Sequence, residues 1–193
     1  KVTPGAREAH VGTGYGDRTL YALRPYDGAV LWTFQAPANN GFEGAPAAVA
    51  NHVYVATLGL APEVYALEQA TGAVTWHTAL PSTGSRASIA VAAGRVFVNI
   101  DAHELYSLNA LTGAVQWSAH TSSGTSSQGS SPAVAFNKVY VGSDDGLYAF
   151  DVATGTLAWK HPIAAITGFS SPVIVASGTA VPLVLISAAD MKV

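Results

Sequence analysis

Between Pro132 and Lys160 the apolar positions fall into four short runs, PAVAF, KVYVGS, LYAFD and TLAWK, each about five residues long. Asp144-Asp145-Gly146 separates the second run from the third, and Thr154-Gly155 separates the third from the fourth. Glycine tolerates positive φ, so both steps read as hairpin turns. No helical spacing of apolar residues interrupts the series, which argues against a parallel α/β fold. The pattern predicts four antiparallel strands in succession.

The same pattern recurs along the whole chain. TLYALRPYDGAVLW ends at Trp32, VYALEQATGAVTW at Trp76, LYSLNALTGAVQW at Trp117 and LYAFDVATGTLAW at Trp159, so the tryptophans are 44, 41 and 42 residues apart. Gly28, Gly72, Gly113 and Gly155 each stand four residues before one of them, and Ala22, Ala66, Ser107 and Ala149 stand ten before. Upstream, VYV (53–55), VFV (96–98) and VYV (139–141) recur at 43 residues. GAPAAVA (44–50), RASIAVA (86–92) and SSPAVAF (130–136) precede them, and SSPVIVA (170–176) begins a fifth copy. Four strands per unit at a period of 40–45 residues predict the blades of a β-propeller.

A single blade cannot bury both of its faces, so neighbouring blades must cover them. A flat indole on the outermost strand does this if small residues let it approach. The recurrent Ala or Ser and the recurrent Gly supply that room, which assigns Trp32, Trp76, Trp117 and Trp159 to structure. The boundaries read as blades over roughly 1–36, 44–80, 86–120, 130–162 and an incomplete 170–193, all in one propeller segment spanning 1–193. The first unit lacks its leading strand, because HVGTG (10–14) aligns with YVGSD (140–144), and the last stops around its second or third strand. The expected total is about 17 or 18 strands, a little over four blades. The expectation is therefore an all-β, partial propeller, either a piece of a larger ring or a unit whose copies assemble through open blade edges.

The spacing A-x-D-x-x-T-G-x-x-x-W, present in full as Ala149, Asp151, Thr154, Gly155 and Trp159, resembles the tryptophan-docking motif of the quinoprotein, or pyrroloquinoline-quinone-like (PQQ-like) repeat, propellers. The other copies vary: Glu68 replaces the acid in one, Ser107 and Asn109 stand in another, and Arg24 with Asp27 in the first. The resemblance implies a ring of seven or eight blades, with about four to five present here. It also implies that each indole stacks between the small residue of its own motif and the glycine peptide of the next blade. In the dehydrogenases of that family the quinone lies between a tryptophan floor and a disulfide of adjacent cysteines, beside calcium and an Asp base. This chain has no cysteine, and all four tryptophans occupy docking positions. The expectation is thus no cofactor and no metal, the alternative being a fragment of a PQQ- and calcium-dependent dehydrogenase whose other blades hold those parts.

Composition narrows the partners. Apolar residues make up 49% and charged ones 11%, against about a quarter charged in an ordinary domain. The net charge is −3 and no two Lys or Arg are adjacent, so the basic footprint that nucleic acid requires is missing. From Pro162 to Ala189 there is no charge, but Ser, Thr, Gly and Pro break the run and its alignment with 130–145 predicts strands, not a membrane span. No leader opens the chain at Lys1, so an export signal is expected to have been removed or to lie outside this segment.

Other motifs carry little chemistry. The six histidines, His10, His52, His77, His103, His120 and His161, lie in different units without metal-binding spacing. GTGYG (12–16) aligns with the hairpin GSDDG (142–146) and is read as a turn, not a phosphate loop. Asp144-Asp145 and Asp101-x-x-Glu104 are read as turn acids. HTSSGTSSQGSS (120–131) is a low-complexity connection between blades.

Positions that agree between copies serve the scaffold, and positions that differ just before each innermost strand are free to serve a ligand, since such loops converge on one face. They are Phe42 and Glu43, Ser85 and Arg86, Gln128, and Phe169, with Asp17, Arg18, His103, Asp144 and Asp145 opening toward the same face. Exposed Phe and Arg are typical anchors for protein partners. The sequence thus leads to a non-catalytic bacterial scaffold or sensor outside the cytoplasm that binds a protein, peptide or cell-wall fragment. It is similar in kind to the outer-membrane-assembly lipoprotein or to ectodomains of membrane-anchored Ser/Thr kinases. The dehydrogenase fragment and a purely structural module are the other two readings.

Overall fold

The computed structural model describes residues 9–12, 17–38, 40–59, 62–81, 84, 86–100, 103–121, 129–163, 170–176 and 182–187; of residues 9–12 it describes the backbone only. Every regular element among these is a strand. The first sheet holds β1 (Ala9–Gly12), β2 (Thr19–Leu23) and β3 (Val30–Gln35). A short ladder joins β4 (Asn40–Gly41) to β7 (Leu58–Gly59) and flanks the second blade, which holds β5 (Ala47–Val49), β6 (His52–Ala56), β8 (Glu63–Glu68) and β9 (Val74–Ala79). The third blade is β10 (Ala90–Ala92), β11 (Arg95–Ile100), β12 (Glu104–Asn109) and β13 (Val115–His120). The fourth is β14 (Ala133–Ala135), β15 (Lys138–Ser143), β16 (Gly146–Asp151) and β17 (Leu157–Pro162). A fifth begins with β18 (Val173–Val175) and β19 (Leu183–Leu185). All pairing is antiparallel between consecutive blade strands, giving a partial β-propeller. The β4–β7 ladder was not expected from the repeat.

Alternation along the middle strands explains how one short sheet serves two interfaces. On β6, Val53 and Val55 pack against Leu20 and Ala22 of the first blade, whereas Tyr54 and Ala56 pack with Val96 and Val98 of the third. On β11, Phe97 turns instead to Val139 and Val141 of the fourth. Both faces are covered, so the middle strands read as continuous apolar runs rather than as a half-buried alternation. Each buried Val, Leu or Phe contributes roughly 1.5–3 kcal/mol.

Two kinds of turn set the strand order. Between innermost and second strands, Ala50-Asn51, Ala93-Gly94 and Phe136-Asn137 hold positive φ at both central residues, the type I′ geometry whose twist matches the flanking strands. Between third and fourth strands the motif acid organises the turn. Asp151 Oδ1 accepts the backbone N–H groups of Ala153 and Thr154 at 2.9 and 3.0 Å. Asn109 Oδ1 does the same for Leu111 and Thr112, which explains why Asn substitutes for Asp in that copy.

Two belts tie blade to blade. On the outside, Trp32 Nε1 donates to the Gln69 carbonyl at 2.8 Å, Trp76 to that of Ala110 at 3.0 Å and Trp117 to that of Val152 at 3.1 Å. Each indole lies on the glycine of the next blade: a Cβ on Gly72 would stand 2.5 Å from Trp32, on Gly113 2.5 Å from Trp76 and on Gly155 2.6 Å from Trp117. Each tryptophan is also the cross-strand partner of its own small residue, as in Ala66↔Trp76 and Ser107↔Trp117. The glycine four residues upstream therefore receives the previous blade's ring and not its own. On the inside, hydroxyls form a ladder: the N–H of Ala45 donates to Ser88 Oγ at 3.0 Å, that of Ser88 to Ser131 Oγ at 2.9 Å, and that of Ser131 to Ser171 Oγ at 2.9 Å.

Candidate interaction face

The outer strand of each blade ends opposite the start of its third strand, as Glu63↔Ala79 and Glu104↔His120 show. The connections to the next blade and the turns before the third strand therefore leave from one end of the sheets. That end gathers the residues expected to bind.

Glu43 and Arg86 belong to consecutive connections 43 residues apart, and the structure brings them together: Arg86 Nε lies 3.4 Å from Glu43 Oε2, with both side chains a little over one third exposed. Phe42 requires a correction. It is 1% exposed and sits in the cluster of Leu20, Val55 and Tyr65, with its ring 6.2 Å from that of Phe34. The β4–β7 ladder pulls the connection back onto the second blade, so the phenyl is core and not a surface anchor. Gln128, Phe169 and Ser85 lie outside the described residues.

The turn residues are occupied by the scaffold. Asp17 accepts from Tyr21 Oη at 2.9 Å and from Thr19 Oγ1 at 2.8 Å. Asp145 accepts from Tyr148 Oη at 2.9 Å and from Lys160 Nζ at 2.6 Å. His103 is buried, and its ring meets that of His120 edge-on at 6.4 Å. Arg18 and His103 take positive φ. Among the described residues no three His, Asp or Glu side chains converge as a metal site would require.

One recurrent pairing was not read from the sequence. In each of the four copies a tyrosine on the third strand donates to an acid just upstream: Tyr21 to Asp17, Tyr65 to Glu63, Tyr106 to Glu104 and Tyr148 to Asp145. An acid two to four residues before the recurrent Tyr was the available signal. Burial and the adjacent carboxylate push the Tyr65 and Tyr106 phenols well above their ordinary value. His77 adds a second partner, its Nδ1 2.9 Å from Glu63 Oε1 and its ring stacked on Tyr65 at 5.6 Å. Lys160 takes the equivalent place in the fourth blade, 5.0 Å above the Tyr148 ring. These acids are thereby spent on architecture, whereas Glu43 and Arg86 pair between consecutive connections, at positions that differ from copy to copy.

The fourth-blade network makes a pH prediction. Burial alone would raise the Asp145 carboxyl, but hydrogen bonds from Lys160 and Tyr148 outweigh it and hold it below its ordinary 3.8. Hydrogen bonds to Asp145 and Tyr148 raise Lys160 to about 12. A carboxylate lowered by folding contributes stability above its unfolded pKa and loses it as pH falls through the folded one. The raised lysine contributes below its ordinary 10.5 and loses that contribution as pH rises past about 12. Asp145→Asn is thus expected to lower the melting temperature at neutral pH, and the difference from the parent chain is expected to shrink below about pH 4. Thermal melts at neutral and acid pH measure this directly; a difference that persists undiminished in acid would contradict it.

Comparison with known proteins places the geometry. Residues 16–188 match the PQQ-like family model described as outer membrane protein assembly factor BamB. No curated protein sequence matches significantly. Among solved structures, BamB from Moraxella catarrhalis superposes with a TM-score of 0.68 at 21% identity, covering 85% of this chain and 52% of that one. The quinohemoprotein alcohol dehydrogenase of Comamonas testosteroni gives 0.72 at 15% identity, over 94% of this chain and 38% of that one. Quinohemoprotein alcohol dehydrogenase ADHIIG from Pseudomonas putida HK5 gives 0.58 at 26%, over 69% and 22%. The chain spans about half the length of BamB and less of the dehydrogenases. By a match that runs over nearly its whole length, the chain belongs to the PQQ-like repeat family whose model bears the description of outer membrane protein assembly factor BamB.

Proposed function

We propose that this chain is a non-catalytic scaffold, working outside the cytoplasm, that holds a protein partner on the face carrying Glu43 and Arg86. The observation that carries the reading is the Glu43–Arg86 pair: two side chains of opposite charge from successive connections, partly exposed, at positions the repeat leaves free. The pair contributes only about 0–1 kcal/mol to folding, so a partner that replaces it costs the fold little. Three of the indoles are engaged in blade joints, which removes them as a floor for a flat cofactor. The description of the matching family model points to a component of outer-membrane protein assembly as the partner.

The test immobilises the chain and presents purified outer-membrane assembly proteins. Glu43→Lys and Arg86→Glu are each expected to weaken capture by about tenfold, equivalent to about 1.4 kcal/mol, with the melting temperature unchanged. Capture that is equal for parent and variants would remove this face from the function. The second reading, a dehydrogenase fragment, draws on the likeness to ADHIIG at 26% identity. Adding the quinone with calcium and finding its absorbance in the purified chain would favour that reading over the scaffold.

A further inference from the structure

At the end of the sheets away from Glu43 and Arg86, the second, third and fourth blades share one cross-strand position. There the first residue of the second strand faces the last residue of the third: His52↔Glu68, Arg95↔Asn109 and Lys138↔Asp151. In the second and fourth blades a basic residue stands opposite a carboxylate, and in the third a guanidinium stands opposite an amide. Asn109 keeps the turn, since its Oδ1 accepts the N–H groups of Leu111 and Thr112 at 2.9 and 3.0 Å. Its other terminal atom, Nδ2, is a donor. Asp151 offers an acceptor there, Oδ2, which takes the Asn137 amide at 3.2 Å. The third blade therefore preserves the fold of the turn and lacks one negative charge.

Arg95 is left without an answer to its charge. Its Nη1 is out of water and has no hydrogen-bond partner, and among the described residues no carboxylate pairs with it. A cationic donor removed from water without an acceptor is costly. Arg95 and Asn109 are nevertheless only partly buried, so solvent reaches the pair. There is also room beside it. Asn137, whose amide reaches Asp151 in the fourth blade, is replaced in the third by Gly94, and a Cβ on Gly94 would meet nothing within 4 Å. We propose that Arg95 and Asn109 bind a small carboxylate, which takes the place that the side chains of Glu68 and Asp151 hold in the adjoining blades. A guanidinium presents paired N–H donors that match the two oxygens of a carboxylate, and Asn109 Nδ2 adds a neutral donor. The site lies at the opposite end of the sheets from Glu43 and Arg86, so it stands or falls independently of the partner reading.

Acetate is the probe. In heteronuclear NMR spectra of the parent chain, exchanging chloride for acetate at constant ionic strength is expected to shift the Arg95 Nε–H and Asn109 side-chain amide resonances together and saturably. Asn109→Asp supplies the carboxylate within the chain, as the fourth blade does, and keeps the acceptor of the turn. It is expected to raise the melting temperature and to weaken the acetate response of the Arg95 resonance by about tenfold or more. Arg95→Gln is expected to abolish the response of the Asn109 amide. The absence of a saturable shift in the parent chain overturns the proposal, as does an acetate response that survives unchanged in Asn109→Asp. An equal response to phosphate at the same ionic strength overturns the assignment to a carboxylate. The aspartate variant retains Arg95 and its turn, so the outcome does not depend on whether Arg95→Gln folds.

Discussion

Replacing Trp76 with alanine is expected to lower the unfolding free energy by about 3–5 kcal/mol, the range for deleting a large aromatic from a packed site. The indole does three things at once. It covers the face of Gly113, donates to the Ala110 carbonyl at 3.0 Å and lies against Tyr54 with ring centroids 6.0 Å apart. Its loss leaves a cavity between the second and third blades and takes from the Ala110 carbonyl one of its two hydrogen bonds, the other coming from Tyr54 Oη at 3.1 Å. Gly113→Ala attacks the same joint from the other side: the new methyl would stand 2.5 Å from Trp76 Cε3, at a φ of +72° that L residues rarely adopt. Part of that cost is steric contact with the ring and part is backbone strain. Urea titrations of the two single variants and the double variant separate them. The double variant is expected to lose less than the sum, because without the indole the methyl sheds its closest contact and only Thr78 Oγ1, 2.7 Å away, must turn aside. Strict additivity would mean that the ring and the seat are not in contact.

Phe42→Ala is expected to cost a similar amount, about 3–5 kcal/mol, and to abolish any partner capture only by unfolding the second blade. The ring is 1% exposed and joins the first blade to the second beside Val53 and Tyr65. Phe42→Leu, which keeps most of the apolar volume, is expected to recover most of the loss. Thermal melting distinguishes the two roles. A variant that melts like the parent chain yet loses a partner would restore Phe42 to the surface.

The fold was legible because the repeat constrains it redundantly. Four tryptophans at nearly constant spacing, each with a glycine and a small residue at fixed offsets, leave little choice besides radial blades. The turn acid was legible in the same way, since Asp151, Asn109 and Glu68 all accept hydrogen bonds within their own turn. The site was legible only in part. Glu43 and Arg86 are legible as positions that vary between copies, but their meeting across 43 residues depends on how consecutive connections converge. Phe42 occupies the same kind of position, and nothing local distinguishes it from an exposed anchor; the β4–β7 ladder that buries it forms between segments on either side of β5 and β6. The paired Tyr and acid residues were visible in the sequence but acquire meaning only when the strand places hydroxyl and carboxylate side by side.

The sequence by itself determined the strands, their order and the small residues that admit each indole, because these follow from local turn chemistry and from a spacing repeated along the chain. Only the tertiary structure decided which glycine each docked indole meets and that Phe42 is core. Those facts depend on how one blade is rotated against the next, and no short-range pattern of apolar and polar residues encodes a rotation.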